Sequence, residues 1–170
     1  PVLRVAGLLL EVMTVGDQAS LRVRDLTLPN REAFAGIPRF AVDPAWRIEA
    51  AWEALPAAES LGIGLVTGAQ SEVTVTHRAR FAHAGAEVVL TPTHRKGGQP
   101  MFVIRDQTSG RETYGAPRFL IGEVQGDRVV LDFNTAFNPP CAFTEFAVCP
   151  LPPRENILQF PIRAGERSPV

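Results

Sequence analysis

The chain has 170 residues, a net charge of −1 and a pI near 6.4, with 45% hydrophobic and 21% charged residues. That length suits one domain, and the composition supports a packed core and excludes wholesale disorder. The near-neutral charge argues against a nucleic-acid binder, because no excess of cations is available for phosphates, and no apolar run is long enough for a membrane-spanning helix.

The chain starts at Pro1 with no basic-then-apolar leader, so the expected compartment is the cytoplasm. Its first 45 residues, with Pro29, Pro38 and Pro44 in loops, supply the first strands and a connection. Within them Leu21, Val23 and Asp25 alternate with Arg22 and Arg24. Trp46 to Ala54 is rich in Ala and Glu, as helices are. Its apolar residues nevertheless fall at every second position, which a strand gathers on one face and a helix scatters. Further strands are predicted at 61–67, 72–81, 86–91, 101–106, 112–115, 118–124, 128–133 and 157–162. Turn signals such as His83-Ala84-Gly85, Lys96-Gly97-Gly98, Ser109-Gly110 and Gly126-Asp127 separate them. The expectation is one all-β, mainly antiparallel domain over 1–170, a small barrel or sandwich.

Two hairpins have registers that can be argued. In the first, over 101–115, a four-residue loop at 107–110 sets Asp106 opposite Arg111 and Arg105 opposite Glu112, two opposite-charge pairs. In the second, over 118–134, a three-residue loop at 125–127 pairs Phe119 with Phe133 and Ile121 with Leu131. That register puts Arg118 opposite Asn134 and diagonal to Asp132, a polar cluster at one end of an apolar face, as at a barrel mouth.

Residues 134–155 hold five prolines, which bars a central strand, yet are too apolar for a loose linker. They are predicted to fold over one end of the barrel as a cap with its phenylalanines in the core. Cys141 and Cys149 lie within this cap. Buried inert thiols, a disulfide, and a nucleophile or metal ligand are the three readings. Eight residues is not a zinc-knuckle spacing, and His77, His83 and His94 form no metal-binding interval. The sequence assigns no metal and no cofactor.

The runs Arg105-Asp106-Gln107-Thr108-Ser109-Gly110-Arg111-Glu112-Thr113-Tyr114-Gly115 and Val130-Leu131-Asp132-Phe133-Asn134-Thr135-Ala136-Phe137-Asn138-Pro139-Pro140-Cys141 resemble two signatures of the bacterial domain-of-unknown-function family numbered 1684. Cys149-Pro150-Leu151-Pro152-Pro153, Asn156 and Ala164-Gly165-Glu166 extend the resemblance, which is strong over 100–166 and weaker over 21–47. Members usually carry more upstream sequence, and Phe137 and Phe146 stand where they often have Tyr. The resemblance implies no established activity.

Two functional readings follow. In the first, the capped end is a small-molecule pocket, binding or enzymatic. Arg105, Asp106, Thr108, Arg111, Thr113, Tyr114, Arg118, Asn134 and Asn138 line it, Asp132 is the base and Cys141 the nucleophile. Arg111 and Arg118 then grip a small anionic ligand with bidentate bonds. In the second, the same polar residues lock the 134–155 loop onto a non-catalytic β module. Side chains facing a solvent-connected cavity favour the first; side chains consumed by backbone carbonyls favour the second. A metal hydrolase built on Cys141, Cys149 and a histidine is a weaker third.

Overall fold

The computed structural model describes residues 2–15, 18–29, 32, 34–65, 68 and 70–169. Backbone contacts divide the chain into two compact units, Pro1–Gly36 and Ile37–Val170. Among the described residues there is no helix long and apolar enough to cross a membrane.

The first unit is an antiparallel meander of β1 (Val2–Val5), β2 (Leu8–Val15) and β3 (Gln18–Asp25). Its turn at 6–7 uses Ala6 at φ 51°.

The second unit holds β4 (Arg47–Gly64), β5 (Gln70–His83), β6 (Ala86–Leu90), β7 (His94–Lys96), β8 (Gln99–Ile104), β9 (Arg118–Gln125) and β10 (Arg128–Asp132). They form one antiparallel sheet in the order β6-β5-β4-β10-β9-β8-β7. The all-β, antiparallel class is as expected. The barrel is not: β6 and β7 remain the two edges and do not pair. β4 and β5 lose register between Ala54 and Glu59, where Pro56 cannot donate to the ladder.

The alternation at the start of β4 is a strand, and Trp46, Ile48, Ala50 and Trp52 all join the main core. Phe102, Val103 and Ile104 are fully buried, so β8 is covered on both faces. The stretch 157–162 is not a strand. It is an extended strap whose Leu158, Ile162 and Ala164 enter the core while it makes a single parallel bridge, Ile157 with Arg105. An extended chain alternates its side chains whether or not it pairs, which is why the sequence pattern imitated a strand.

Both predicted registers are corrected. β8 pairs with β9 across a long loop at 105–117, so 112–115 is not a strand and the charge pairs of the first hairpin do not form. In the second hairpin Gln125 faces Arg128 across a two-residue turn, one residue from the expected register. The core side of β9 is therefore Leu120, Gly122 and Val124, not Phe119 and Ile121. A Cβ at Gly122 would stand 2.7 Å from Val129 Cγ2 and 3.0 Å from Phe102 Cε2. The missing side chain on the core face is what hid the true alternation.

Candidate functional site

The loop at 105–117 is organised by one carboxylate. Asp106 Oδ1 accepts from Thr108 N at 2.8 Å, Thr108 Oγ1 at 2.6 Å and Ile162 N at 3.0 Å. Its other oxygen accepts from Arg118 Nη2 at 2.8 Å, and both side chains of that ion pair are 1% exposed. Thr108 Oγ1 has given its proton to Asp106, so the Thr113 hydroxyl donates to it across 2.9 Å. The Thr108 carbonyl accepts from the backbone N–H groups of Arg111, Glu112 and Thr113. Gly110 turns the loop at φ 78°.

Arg118 stands at the start of β9, fully enclosed. Nη1 donates to the carbonyls of Ala164 at 2.6 Å and Glu166 at 3.1 Å, and Nη2 to that of Ile162 at 3.0 Å. A planar guanidinium with fixed donors suits this irregular backbone, because a strap that pairs with no ladder leaves its carbonyls unsatisfied. Arg118 Nε is buried without a protein partner.

The strap is tied at two further points. Asn156, fully buried, donates to the carbonyls of Thr91 at 2.8 Å and Val103 at 3.0 Å and accepts from Thr91 N at 2.9 Å. Glu166 accepts from Asn138 N at 2.7 Å and Arg39 Nη1 at 3.1 Å. The sequence reading gave neither residue a role; the signal was their place in the family resemblance.

The predicted site residues therefore fall into separate places. Asp106, Thr108, Thr113 and Arg118 form the buried knot. Asn138 donates to the Arg167 carbonyl at 2.8 Å. Tyr114 reaches away, its hydroxyl donating to the Cys141 carbonyl at 2.8 Å. Asp132 does not meet Arg118: its carboxylate caps the 3-10 turn Phe133–Thr135 by accepting from Asn134 N and Nδ2, each at 3.0 Å. Asn134 binds the Asp43 backbone through both ends of its amide. Cys141 is bonded to Cys149, so among the three readings the structure has the disulfide, and Cys141 presents no thiolate to act as nucleophile. Among the described residues no cluster of three or more His, Cys, Asp or Glu is arranged to hold a metal.

The cap also differs from expectation. Phe137 packs edge-on against Phe119, but Phe146 is 88% exposed and Phe143 is 44% exposed. Neither plugs the core.

Two concavities of the second unit bear on a site. One, about 340 Å³ and shallow, is lined by Arg105, Asp106, Gln107, Ser109 and Arg111. Arg105 and Arg111 are exposed there and have no ionic partner among the described residues. The other, about 280 Å³, runs beside Trp52, Thr76, Pro92, His94 and Arg95. Burial pushes the His94 imidazole below its ordinary range.

Residues 32–167 match the profile of the family described as "Protein of unknown function (DUF1684)". Among solved structures, the chain is similar to the solution NMR structure of the uncharacterized protein from gene locus rrnAC0354 of Haloarcula marismortui. The two are 29% identical with a TM-score of 0.61, over 81% of this chain and 78% of that one. No curated protein matches the chain.

Proposed function

The chain belongs to the DUF1684 family, and we propose that it is a non-catalytic binding module that holds a small anionic ligand on the loop at 105–111. The observation that carries this reading is the division of labour within one loop. Asp106, Thr108 and Arg118 spend their hydrogen bonds on the fold, apart from the enclosed Arg118 Nε. Arg105 and Arg111 flank the concavity beside them with guanidinium forks that have no ionic partner among the described residues. A fork fits a carboxylate or phosphate bidentately, and a loop already fixed from beneath loses little freedom on binding.

The role foreseen for Arg111 and Arg118 together thus passes to Arg111 and Arg105. Buried Arg118 is a support. The Cys141–Cys149 bond favours an oxidising compartment over the cytoplasm expected from the sequence.

The test is a titration of the full chain with inorganic phosphate and with citrate, followed by amide chemical shifts. Saturable shifts over 105–111, weakened about tenfold or more in Arg105→Ala/Arg111→Ala, support the reading. A response that the double variant retains, or no saturable response to either anion, overturns it.

A further inference from the structure

Three buried side-chain polar atoms among the described residues have no protein partner: Arg78 Nε, Arg118 Nε and Asn138 Oδ1. Two of the three belong to one facing pair. Phe119 and Phe137 form an antiparallel bridge, each donating its N–H to the other's carbonyl, at 2.8 Å and 3.0 Å. One step along that bridge, Arg118 stands opposite Asn138. Opposed residues send their side chains to the same face, and a pair that flanks a doubly bonded one approaches more closely than the bonded pair itself. Both side chains also run to the same part of the strap. Arg118 Nη1 donates to the Glu166 carbonyl at 3.1 Å, and Asn138 Nδ2 to the next carbonyl, that of Arg167, at 2.8 Å.

Neither atom can turn to find another partner. A guanidinium has five N–H donors in one plane. The four on Nη1 and Nη2 of Arg118 go to Ala164, Glu166, Asp106 and Ile162, so Nε is the donor left over and its direction is fixed. The Asn138 amide cannot be reversed, because its oxygen would then meet the Arg167 carbonyl. Arg118 is 1% exposed and Asn138 5%, so bulk solvent does not serve them. A donor and an acceptor thus share one enclosed face without bonding each other, and an unserved buried polar atom bears its full desolvation cost.

We propose that Arg118 and Asn138 hold one internal water molecule, which accepts from Nε–H and donates to Oδ1. The chemistry of the two atoms selects the occupant. A cation would be repelled by the guanidinium. An anion would meet the amide oxygen and the Glu166 carboxylate, whose Oε2 accepts from Asn138 N at 2.7 Å. A neutral molecule that both accepts and donates serves both atoms at once, and two polar partners lie within the range that holds a buried water. The water joins β9 to the 134–155 segment where both grip the strap. It is part of the polar knot, and it does not depend on the anion site.

A crystal structure of the full chain should show one water within about 3.2 Å of both atoms. In solution, Arg118 Hε should give a cross-peak to water with the sign of a bound molecule and not of chemical exchange, measured below neutral pH, where guanidinium exchange is slow. Asn138→Leu removes the acceptor and should lose that cross-peak. Oxygen-17 relaxation dispersion should then count one long-lived water fewer than in wild type. A direct bond from Nε to Oδ1, an ion at the site, or no density there overturns the proposal. So does a cross-peak that Asn138→Leu retains. The wild-type crystal structure and Hε spectrum decide by themselves, so an Asn138→Leu chain that failed to fold would not obscure the result.

Discussion

Two irregular stretches of the second unit are ordered in opposite ways. The loop at 105–117 turns polar side chains inward and bonds them to backbone. The loop closed by Cys141 and Cys149 turns Phe146 outward and is held by a covalent bond. The apolar loop exposes its phenylalanines, and the loop rich in charge and hydroxyls buries Asp106, Thr108 and Thr113 while presenting Arg105 and Arg111. What orders a stretch without a ladder is the satisfaction or covalent restraint of its backbone, and apolar content alone is a poor guide.

The largest effect should come from breaking the polar knot. Arg118→Met leaves a buried carboxylate and three carbonyls without their donor, and should cost about 3–5 kcal/mol in urea unfolding. Adding Asp106→Leu should recover part of that loss, since the stranded charge goes with it. A single variant within 1 kcal/mol of wild type would show that the strap holds without its clamp.

Next is the strap's own turn. Gly165 has φ 77°, and a Cβ there would lie 2.5 Å from the Ala136 carbonyl oxygen and 2.8 Å from that of Phe133. Gly165→Ala should cost about 3 kcal/mol, combining strain with a backbone clash. Gly110 has the same φ sign but open surroundings, so Gly110→Ala should cost about 1 kcal/mol. Equal losses at the two sites would mean that conformation, and not crowding, dominates.

The strands were legible because alternation survives wherever one face is buried: Trp46, Ile48, Ala50 and Trp52 announced β4 against their helical composition. Registers were not. Gly122 removes a side chain from the core face of β9 and leaves Phe119 and Ile121 looking like the inward pair. The Asp106–Arg118 pair was hidden by nearer decoys, since Asp106 with Arg111 and Arg105 with Glu112 satisfy a short hairpin equally well on paper. Arg163 takes Glu112 instead, at 3.0 Å. Of the candidate site, the sequence identified the right loop but could not separate the residues it buries from those it presents, because that depends on a strap some 45 residues later in the chain.

The covalent side of the comparison can be tested by removing the bond. Cys141→Ala/Cys149→Ala closes no loop in the unfolded chain and should cost about 2.5 kcal/mol. Amide shifts should change over 137–151 and stay fixed in 105–113. The two loops meet where Tyr114 donates to the Cys141 carbonyl, so Tyr114→Phe should cost about 1 kcal/mol in wild type and less once the disulfide is gone. Shifts that spread through the knot would mean that the two devices are one.

The smallest effect concerns a group outside both loops. His94, half-buried in the cleft beside Trp52, has its pKa lowered by burial, so the unfolded chain binds its proton more readily than the folded one. Its contribution to stability is therefore intact above the unfolded value of about 6.5 and is lost as pH falls from there toward the folded value. Unfolding midpoints measured from pH 8 to pH 5 should decline in wild type and decline less in His94→Gln, which carries no titrating group. The knot does not touch His94, so Gly110→Ala should shift the whole curve without changing this difference in slope. A His94→Gln curve parallel to wild type would remove His94 as the source and place the pH sensitivity elsewhere in the fold.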